Sequence, residues 1–336
     1  MTDSTPSSPA TPPITSRFQA KSSALDVVEG LALRGRTAVV TGGASGLGLE
    51  TSRALVSAGA SVTLAVRNLE QGALAAAQFR ADYPEADVSI ALLDLSDLAT
   101  ITRFSQDWLA TGKPLDILIN NAAIMACPLT RDSRGWEAQF ATNHLGHFAL
   151  TVGLLPVLRA AVAVHGDARV VALSSSGHKI SSVDFDDIHF ERREYNKWQA
   201  YGQAKSANAL FSLGLYLREA TNGITVNAVH PGGIMTGLQK FLPLDEMRAL
   251  GWLKEDDTPL DLFKTPAQGA STSVWAATAP ELKGHGGLYL EDCRQGMPSE
   301  PGNRISGYLP HIMDADAAQR LWTVSENLMA STRAST

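Results

Sequence analysis

Two ionisable residues stand four positions apart at the start of a long helical pattern. They are Tyr201 and Lys205, in the segment YGQAK. A spacing of four puts both side chains on one face of a helix, within reach of each other. A phenol with a pKa of about 10 is a poor base at neutral pH, and a nearby ammonium favours the phenolate. The pair could therefore take a proton from an alcohol and return it to a carbonyl oxygen, although a tyrosine and a lysine also share a helix by chance.

Polar side chains upstream could complete such a site. Ser174, Ser175 and Ser176 directly follow an apolar run that ends at Leu173. Because open α/β sheets bind ligands at the carboxyl ends of their strands, a serine there could hydrogen-bond a substrate oxygen as negative charge develops on it. A polar strand cap is the alternative. Asn143 lies in a helical pattern, where asparagine is not favoured, and is either a site residue or a surface polar residue.

A glycine-rich loop separates the first apolar run from a helical pattern. Residues 41–48 read TGGASGLG. Glycines let the backbone approach a pyrophosphate, and the unpaired N–H groups and the dipole of a helix N-terminus favour its charge. In this position the motif predicts dinucleotide binding rather than an ordinary glycine turn.

The end of the second apolar run indicates which dinucleotide is bound. An acidic side chain there binds the ribose 2′-hydroxyl, whereas an arginine accommodates a 2′-phosphate. This chain has Arg67 and Asn68 after Val66, with no carboxylate. We therefore expect a preference for NADP(H). The alternative is that Arg67 is a solvated cation at the end of a strand.

The elements that position these residues follow from seven short apolar runs that alternate with helical patterns. The runs are rich in β-branched residues, as buried parallel strands are, and lie at 37–40, 62–66, 88–92, 117–119, 170–173, 225–229 and 288–290. The alternation predicts an α/β fold: a single-domain Rossmann-type doubly wound parallel sheet of about seven strands with helices on both faces. We expect a disordered Ser/Thr/Pro-rich tail over 1–24, a catalytic domain over 25–325 and a second tail over 326–336.

Composition argues against several other classes of protein. The net charge of -6, without a Lys/Arg cluster, argues against nucleic-acid binding. Cys127 and Cys293 lie far apart, so we expect neither a disulfide framework nor a thiolate metal site, and a reducing cytoplasm fits best. A membrane helix needs about 18 consecutive apolar residues, and the sequence contains no such run, so we expect no membrane anchor. His144 and His147 are expected to be a pair on a helix surface, and no metal is expected.

In their order along the chain, these motifs resemble the short-chain dehydrogenase/reductase family. The order is TGGASGLG at 41–48, NNAA at 120–123, Asn143, SSS at 174–176, YGQAK at 201–205 and HPGGIMT at 230–236. The resemblance implies that Tyr201 is the acid/base and that Lys205 lowers its pKa and holds the nicotinamide ribose. It also implies that Ser175 is the catalytic serine and that Asn143 anchors a water in a proton relay to Lys205.

The same resemblance implies a set of cofactor contacts. Asp94 and Leu95 would border the adenine, Asn121 would lie beside the nicotinamide ribose, and the HPGGIMT segment would flank the carboxamide. The predicted NADP(H)-binding residues are Gly42, Ser45, Gly46, Leu47, Gly48, Arg67, Asn68, Asp94, Leu95, Asn121, Ala122, Tyr201, Lys205, Pro231, Gly232, Ile234 and Thr236.

Within the family, the chain looks most like the retinol-dehydrogenase-like branch, as a soluble member of bacterial type. The resemblance rests on Ala65-Val66-Arg67, on the FDDI segment at 185–188 in an insertion before the tyrosine, and on QAKSAN at 203–208. Membrane-bound retinol dehydrogenases have an apolar N-terminal anchor, which we do not expect in this chain, so the range of substrates stays open.

The residues and the resemblance together predict an NADP(H)-dependent alcohol dehydrogenase or carbonyl reductase. Segment 237–265 is apolar and would cover a lipophilic small-molecule substrate, although packed helix faces give the same composition. A C=C (enone) reductase and a non-catalytic NADP(H) sensor are the alternatives. The family also implies a homodimer or homotetramer formed through the helices that carry Asn143 and Tyr201, with small residues for close contact at Ala204, Ala207, Ala209 and Gly214.

Overall fold

Eight strands form one open sheet in the computed structural model of the protein, which describes residues 12–333. Their order is β3-β2-β1-β4-β5-β6-β7-β8, and every neighbouring pair is parallel except the last. The strands are β1 Thr37–Thr41, β2 Ser61–Val66, β3 Val88–Leu92, β4 Ile117–Asn120, β5 Ala168–Leu173, β6 Ile224–His230, β7 Tyr289–Glu291 and β8 Arg294–Gln295. The predicted doubly wound sheet is confirmed, and β8 was missed because two residues carry no periodic pattern.

Helices cover both faces of this sheet. They are α1 Ala24–Val28, α2 Gly46–Ser57, α3 Leu69–Asp82, α4 Leu98–Ala110, α5 Ala138–Phe140, α6 Gly146–His165, α7 Lys197–Glu219, α8 Leu244–Ala249, α9 Pro266–Gly269, α10 Ser271–Thr278 and α11 Ala315–Arg333. In β1, Ala38 and Val40 join the core cluster that contains residues of α2 and α10, whereas Val39 joins the cluster that contains residues of α4, α6 and α7. Burial on both faces explains why the strand is apolar at consecutive positions.

Residues ahead of α1 are attached to the far edge of the sheet. Ile14 N donates to Gln295 Oε1 at 3.1 Å, Ser16 Oγ donates to the Cys293 carbonyl at 2.7 Å, and Thr15 forms an antiparallel bridge with Arg294. The prediction of a disordered tail over 1–24 is therefore wrong for residues 12–24, and its first eleven residues lie outside the described residues. The residues that hold this segment lie 281 and 277 positions further along the chain, so no local sequence pattern could reveal these contacts.

The C-terminal helix also corrects the sequence prediction. α11 runs to Arg333, so residues 326–333 belong to a helix and not to a tail. It packs along α7, where Gly214 lies against the Ala318 backbone and Trp322 contacts the rings of Phe148 and Phe211. Gly214, one of the small residues expected to permit contact with a second subunit, is thus covered by the chain's own C-terminal helix.

One helical stretch among the described residues, Ala138–His165, is long and apolar enough by composition to cross a membrane. It includes α5, a π-helical turn at Ala141–Leu145 and α6. Leu145, Leu150, Leu154 and Leu158 are buried in the core cluster that also contains residues of β4, β5 and β6. The stretch is therefore built as a core helix of this fold.

Candidate active site

The predicted tyrosine and lysine lie together at the start of α7. The helix begins after Asn196, whose side chain accepts hydrogen bonds from Trp198 N and Gln199 N. Tyr201 is 6% exposed and Lys205 3% exposed, and Lys205 Nζ lies 5.6 Å from the centroid of the Tyr201 ring. The Lys205 ammonium also donates to the Leu173 carbonyl at the end of β5, at 2.9 Å.

Ser175 approaches Tyr201 from the turn that follows β5. Its hydroxyl accepts a hydrogen bond from Gly177 N at 3.0 Å and is hydrogen-bonded to the Tyr201 side chain. A Cβ on Gly177 would lie 2.9 Å from the Tyr201 ring, so glycine permits this close approach. Ser174 faces away, since its hydroxyl donates to the Lys205 carbonyl. The serine chosen from the sequence is thus the one that contacts the phenol.

Burial controls the protonation of this pair. It raises the pKa of Tyr201 to about 12, although the Ser175 hydrogen bond opposes the shift. Burial also lowers the pKa of Lys205 to about 7. The sequence predicts a lowered pKa for Tyr201. In the chain alone the pKa is raised instead, because loss of solvation outweighs any help from Lys205. At neutral pH the phenol keeps its proton.

Asn143 lies in the π-helical turn between α5 and α6. Its side chain accepts from Ile124 N and donates to the Ile124 carbonyl, both at 2.9 Å. Its own carbonyl oxygen lies 2.9 Å from His147 Nδ1. The side chain is therefore occupied by the loop after β4. The carbonyl oxygen, although hydrogen-bonded to His147, has a second lone pair that a relay could use. π-turns of this kind occur often at functional sites.

The glycine loop has the geometry of an anion cradle. Gly42 and Gly46 have φ of 65° and 52°, and a Cβ on Gly48 would lie 2.3 Å from the Gly42 carbonyl oxygen. α2 begins at Gly46, so its unpaired N–H groups follow directly after the loop, and Ser45 and Leu47 flank this turn. The residues present therefore fit a pyrophosphate group.

The remaining predicted cofactor residues border the same loop. Thr236 lies 3.6 Å from the position of a Cβ on Gly46, which brings the segment after β6, with Pro231, Gly232 and Ile234, against the glycine loop. The Asn121 amide donates to the Thr41 carbonyl, and Ala122 follows it in the loop after β4. The structure thus brings together residues from three separate segments at the carboxyl edge of the sheet.

Residues after β2 and β3 line the far end of this edge. Arg67 is exposed and makes no hydrogen bond or ion pair with any residue that the structure describes. Asn68 caps α3 by accepting from Gln71 N, which leaves its amide group free. The Asp94 carboxylate is engaged by Ser96, and Leu95 is buried against Gly146. Arg67 is therefore free to meet an added phosphate.

Sequence comparison decides the family. A family profile described as short chain dehydrogenase matches residues 36–246. A "Probable oxidoreductase" of Streptomyces antibioticus is 47% identical over 298 residues, which cover 86% of this chain and 96% of that protein. The chain belongs to the short chain dehydrogenase family.

Two further similarities place the chain within that family. Human "Retinol dehydrogenase 14" is 35% identical over 312 residues, covering 88% of this chain and 86% of that protein. The solved "RhlG/NADP active-site complex" of Pseudomonas aeruginosa is 26% identical, with a TM-score of 0.60, and covers 77% of this chain and 95% of that one. The resemblance to the short-chain dehydrogenases and their retinol-dehydrogenase-like branch is thereby confirmed.

The short-chain dehydrogenase site of this chain is closed by an apolar cover. Leu242 and Met247, from segment 237–265, are buried with Met125, Ala126 and Tyr201 in one cluster. The side chains packed around that cluster are Trp198, Met235, Leu238, Trp252 and Leu253. Tyr201 is therefore packed among methionine, leucine and tryptophan side chains.

An ion pair holds this cover to α7, the helix that carries Tyr201 and Lys205. Glu246 of α8 accepts from Lys197 Nζ at 2.5 Å and from Trp198 Nε1 at 3.1 Å. Trp198 also packs edge-on against Trp252, with ring centroids 5.9 Å apart. Sequence reasoning missed Trp198 and Glu246. The spacing of Trp198, three residues before Tyr201 on the same helix face, was the available signal.

Two histidines near the tetrad were also underestimated from the sequence. His144 and His147 are buried, which corrects their prediction as a helix-surface pair.

A third histidine, His178, lies behind the serine. Its Nδ1 lies 2.6 Å from the Ser175 carbonyl, and its Nε2 accepts from Leu309 N. Burial lowers the pKa of His178 to about 4, so it holds the serine turn as a neutral ring.

Proposed function

We propose that this short-chain dehydrogenase is an NADP(H)-dependent oxidoreductase that interconverts an alcohol and its ketone or aldehyde, on a lipophilic substrate. The observation that carries the proposal is a protonated Tyr201 phenol, hydrogen-bonded to Ser175, beside Lys205 and within an apolar cluster. This arrangement provides an acid and a hydroxyl at one point of a water-poor surface, as carbonyl reduction requires.

The chain's own residues handle the proton. Tyr201 donates its proton to the carbonyl oxygen as negative charge develops there, and the Ser175 hydroxyl hydrogen-bonds the same oxygen. Lys205 stabilises the resulting phenolate, because a neighbouring ammonium favours the charged phenol. A nicotinamide dinucleotide, when bound, supplies or accepts the hydride. In alcohol oxidation the same groups work in reverse.

The preference for NADP(H) is supported by charge at the end of β2. Arg67 has no carboxylate beside it and no partner among the described residues. The P. aeruginosa relative, which is described as an NADP complex, supports the same assignment. A guanidinium can bind a charged phosphate through two parallel hydrogen bonds, whereas NAD(H) offers only an uncharged hydroxyl at the same position.

The preference for a lipophilic substrate is supported by the cover. Met125, Leu242, Met247 and Trp198 present flexible and aromatic surface to Tyr201, and none of them carries a charge. A polar substrate would lose its hydration there without gaining partners. We therefore expect bulky aromatic or polycyclic carbonyl compounds to bind more tightly than acetone-sized ones.

Parallel assays test the proposal. NADPH and NADH turnover is measured with small, aromatic and polycyclic ketones and aldehydes, and products are identified to distinguish C=O from C=C reduction. We expect NADPH-dependent reduction of bulky carbonyl groups, lost in Tyr201→Phe. NADPH binding without turnover of any carbonyl compound or matching alcohol would refute the proposal, and reduction of C=C bonds only would favour an enone reductase.

A further inference from the structure

A buried histidine connects the tetrad to the dinucleotide-binding loops. His147, in the first turn of α6, is 2% exposed. Its Nδ1 lies 2.9 Å from the Asn143 carbonyl oxygen, and its Nε2 lies 2.9 Å from Thr41 Oγ1. Both ring nitrogens are thus occupied, one by the π-turn and one by the residue that opens the glycine loop.

The partners fix which nitrogen carries the proton. The Asn143 carbonyl oxygen can only accept, so His147 Nδ1 carries the hydrogen. Burial lowers the pKa of His147 to about 4, and the Lys205 ammonium adds to that shift while the bond to Asn143 opposes it. The ring is therefore neutral, and its Nε2 is an acceptor. The Thr41 hydroxyl can donate to this Nε2 at 2.9 Å or to the Ile119 carbonyl at 3.3 Å, and the shorter distance favours His147.

Thr41 in turn holds the loop that follows β4. Its Oγ1 accepts from Asn121 N at 2.9 Å and from Ala122 N at 3.0 Å. The Asn143 side chain binds the backbone of Ile124, two residues further along the same loop. One continuous set of hydrogen bonds therefore runs from the loop through Thr41, His147 and Asn143 and back to the loop.

We propose that His147 is a positioning residue that fixes the Asn143 turn relative to the dinucleotide-binding loops through Thr41. The inference rests on the proposed function for its catalytic meaning, since it assigns His147 to the alignment of the tetrad with a bound dinucleotide. Among the described residues no hydrogen bond or ring contact joins His147 to Tyr201 or Ser175, so it would act through Asn143 and Thr41.

His144 provides a matched control on the same turn. It is also buried, and burial lowers its pKa to about 3. Its Nε2 lies 2.8 Å from Ser325 Oγ of α11, on the side away from the glycine loop. Loss of His144 therefore removes a buried hydrogen bond and ring packing without touching Thr41 or the Asn143 carbonyl.

The test compares His147→Phe, His147→Asn and His147→Gln with His144→Phe. For each, kcat with saturating NADPH and a bulky ketone, the NADPH Kd by fluorescence titration and Tm are measured. For His147→Phe we expect kcat to fall on the order of 100-fold and the NADPH Kd to rise about tenfold. His147→Asn keeps a donor for Asn143 and should recover kcat more than Kd, whereas His147→Gln keeps an acceptor for Thr41 and should recover Kd more than kcat.

The control separates positioning from stability. His144→Phe should lower Tm while kcat and Kd stay within about twofold of the wild type. Equal loss of kcat in His144→Phe and His147→Phe, or unchanged kcat and Kd in folded His147→Phe, would overturn the proposal.

A second measurement is independent of turnover. Spectra of the ¹⁵N-histidine-labelled protein without added nucleotide should show His147 with a protonated Nδ1 and an unprotonated Nε2, and Thr41→Val should shift the Nε2 resonance. A protonated Nε2 would contradict the hydrogen-bond path even if the enzyme reduces carbonyl compounds. If His147 shows the expected tautomer but the protein reduces no carbonyl compound, the hydrogen-bond path stands and the proposed function is refuted instead.

Discussion

We predict that the contacts of Glu246 with α7 stabilise the closed position of the apolar cover. Glu246→Ala removes the ion pair to Lys197 and the hydrogen bond from Trp198. Both charged side chains are more than a quarter exposed, so we take about 1 kcal/mol for the pair rather than the value of a buried one. The Trp198 bond adds about 1 kcal/mol.

Together these terms amount to about 2 kcal/mol, or roughly a 30-fold change in the equilibrium between closed and open cover. We therefore expect KM for a polycyclic ketone to rise by up to about 30-fold in Glu246→Ala. In Glu246→Gln it should rise about fivefold, because glutamine still accepts from Trp198. Tm should change little in either variant, since the cover opens without unfolding the sheet.

The control lies on the same short helix. Arg248 pairs with Asp245 and Asp257 at the outer surface of α8, and Arg248→Gln should leave KM unchanged. KM for small and polycyclic ketones and Tm are measured for the wild type and for each variant, by steady-state kinetics and thermal unfolding. If Glu246→Ala keeps KM within about twofold of the wild type, or Arg248→Gln raises it equally, the ion pair does not control closure.

The protonation of Glu246 sets the pH range of this effect. The hydrogen bond from Lys197 lowers the pKa of Glu246 below its ordinary value of 4.5. A carboxylate with a depressed pKa contributes fully above its ordinary pKa and loses that contribution as the pH falls through the lowered one. The difference between wild type and Glu246→Ala should therefore stay constant from about pH 6 to 8.

Four further substitutions test other parts of the structure. Tyr201→Phe should lower kcat by about 10²- to 10⁴-fold with NADPH affinity unchanged, and a smaller loss would mean another group supplies the proton. Arg67→Glu should reduce NADPH efficiency at least about tenfold while sparing NADH; an unchanged ratio of the two efficiencies refutes the assignment. Gly48→Ala should abolish dinucleotide binding in a titration, because its Cβ would lie 2.3 Å from the Gly42 carbonyl oxygen. Trp322→Ala should cost about 3–5 kcal/mol in denaturant unfolding, and a loss below about 1 kcal/mol would mean that α11 is not part of the core.

Patterns within single segments were enough to predict the sheet and much of the candidate site. β1 reads as a continuous apolar run because both its faces are buried, and the glycine loop follows it directly. Tyr201 and Lys205 could be paired because four residues make about one helical turn. These features depend on neighbours in the chain, which is where sequence periodicity carries information.

Features that depend on distant contacts could not be predicted in this way. The burial of His147 requires Thr41, 106 positions away, and the position of Glu246 requires Lys197 and Trp198, nearly 50 positions away. The raised pKa of Tyr201 in the chain alone could not be predicted, because a spacing shows a partner but not the loss of water around it. Gly214, expected to permit contact with a second subunit, packs against α11, whose own sequence gives no sign of its docking site.

The bridge between Thr15 and Arg294 has a consequence for synthesis of the chain. β8 is the last strand of the sheet, and its outer edge is paired by a segment that leaves the ribosome before the first strand does. During translation the strands β1 to β6 can form while this segment has no partner, because residue 294 has not yet been made. An unpaired strand edge is open to association with other chains. Deletion of residues 12–18 would make that exposure permanent, so aggregation during expression, rather than loss of turnover, is the defect we expect from such a truncation.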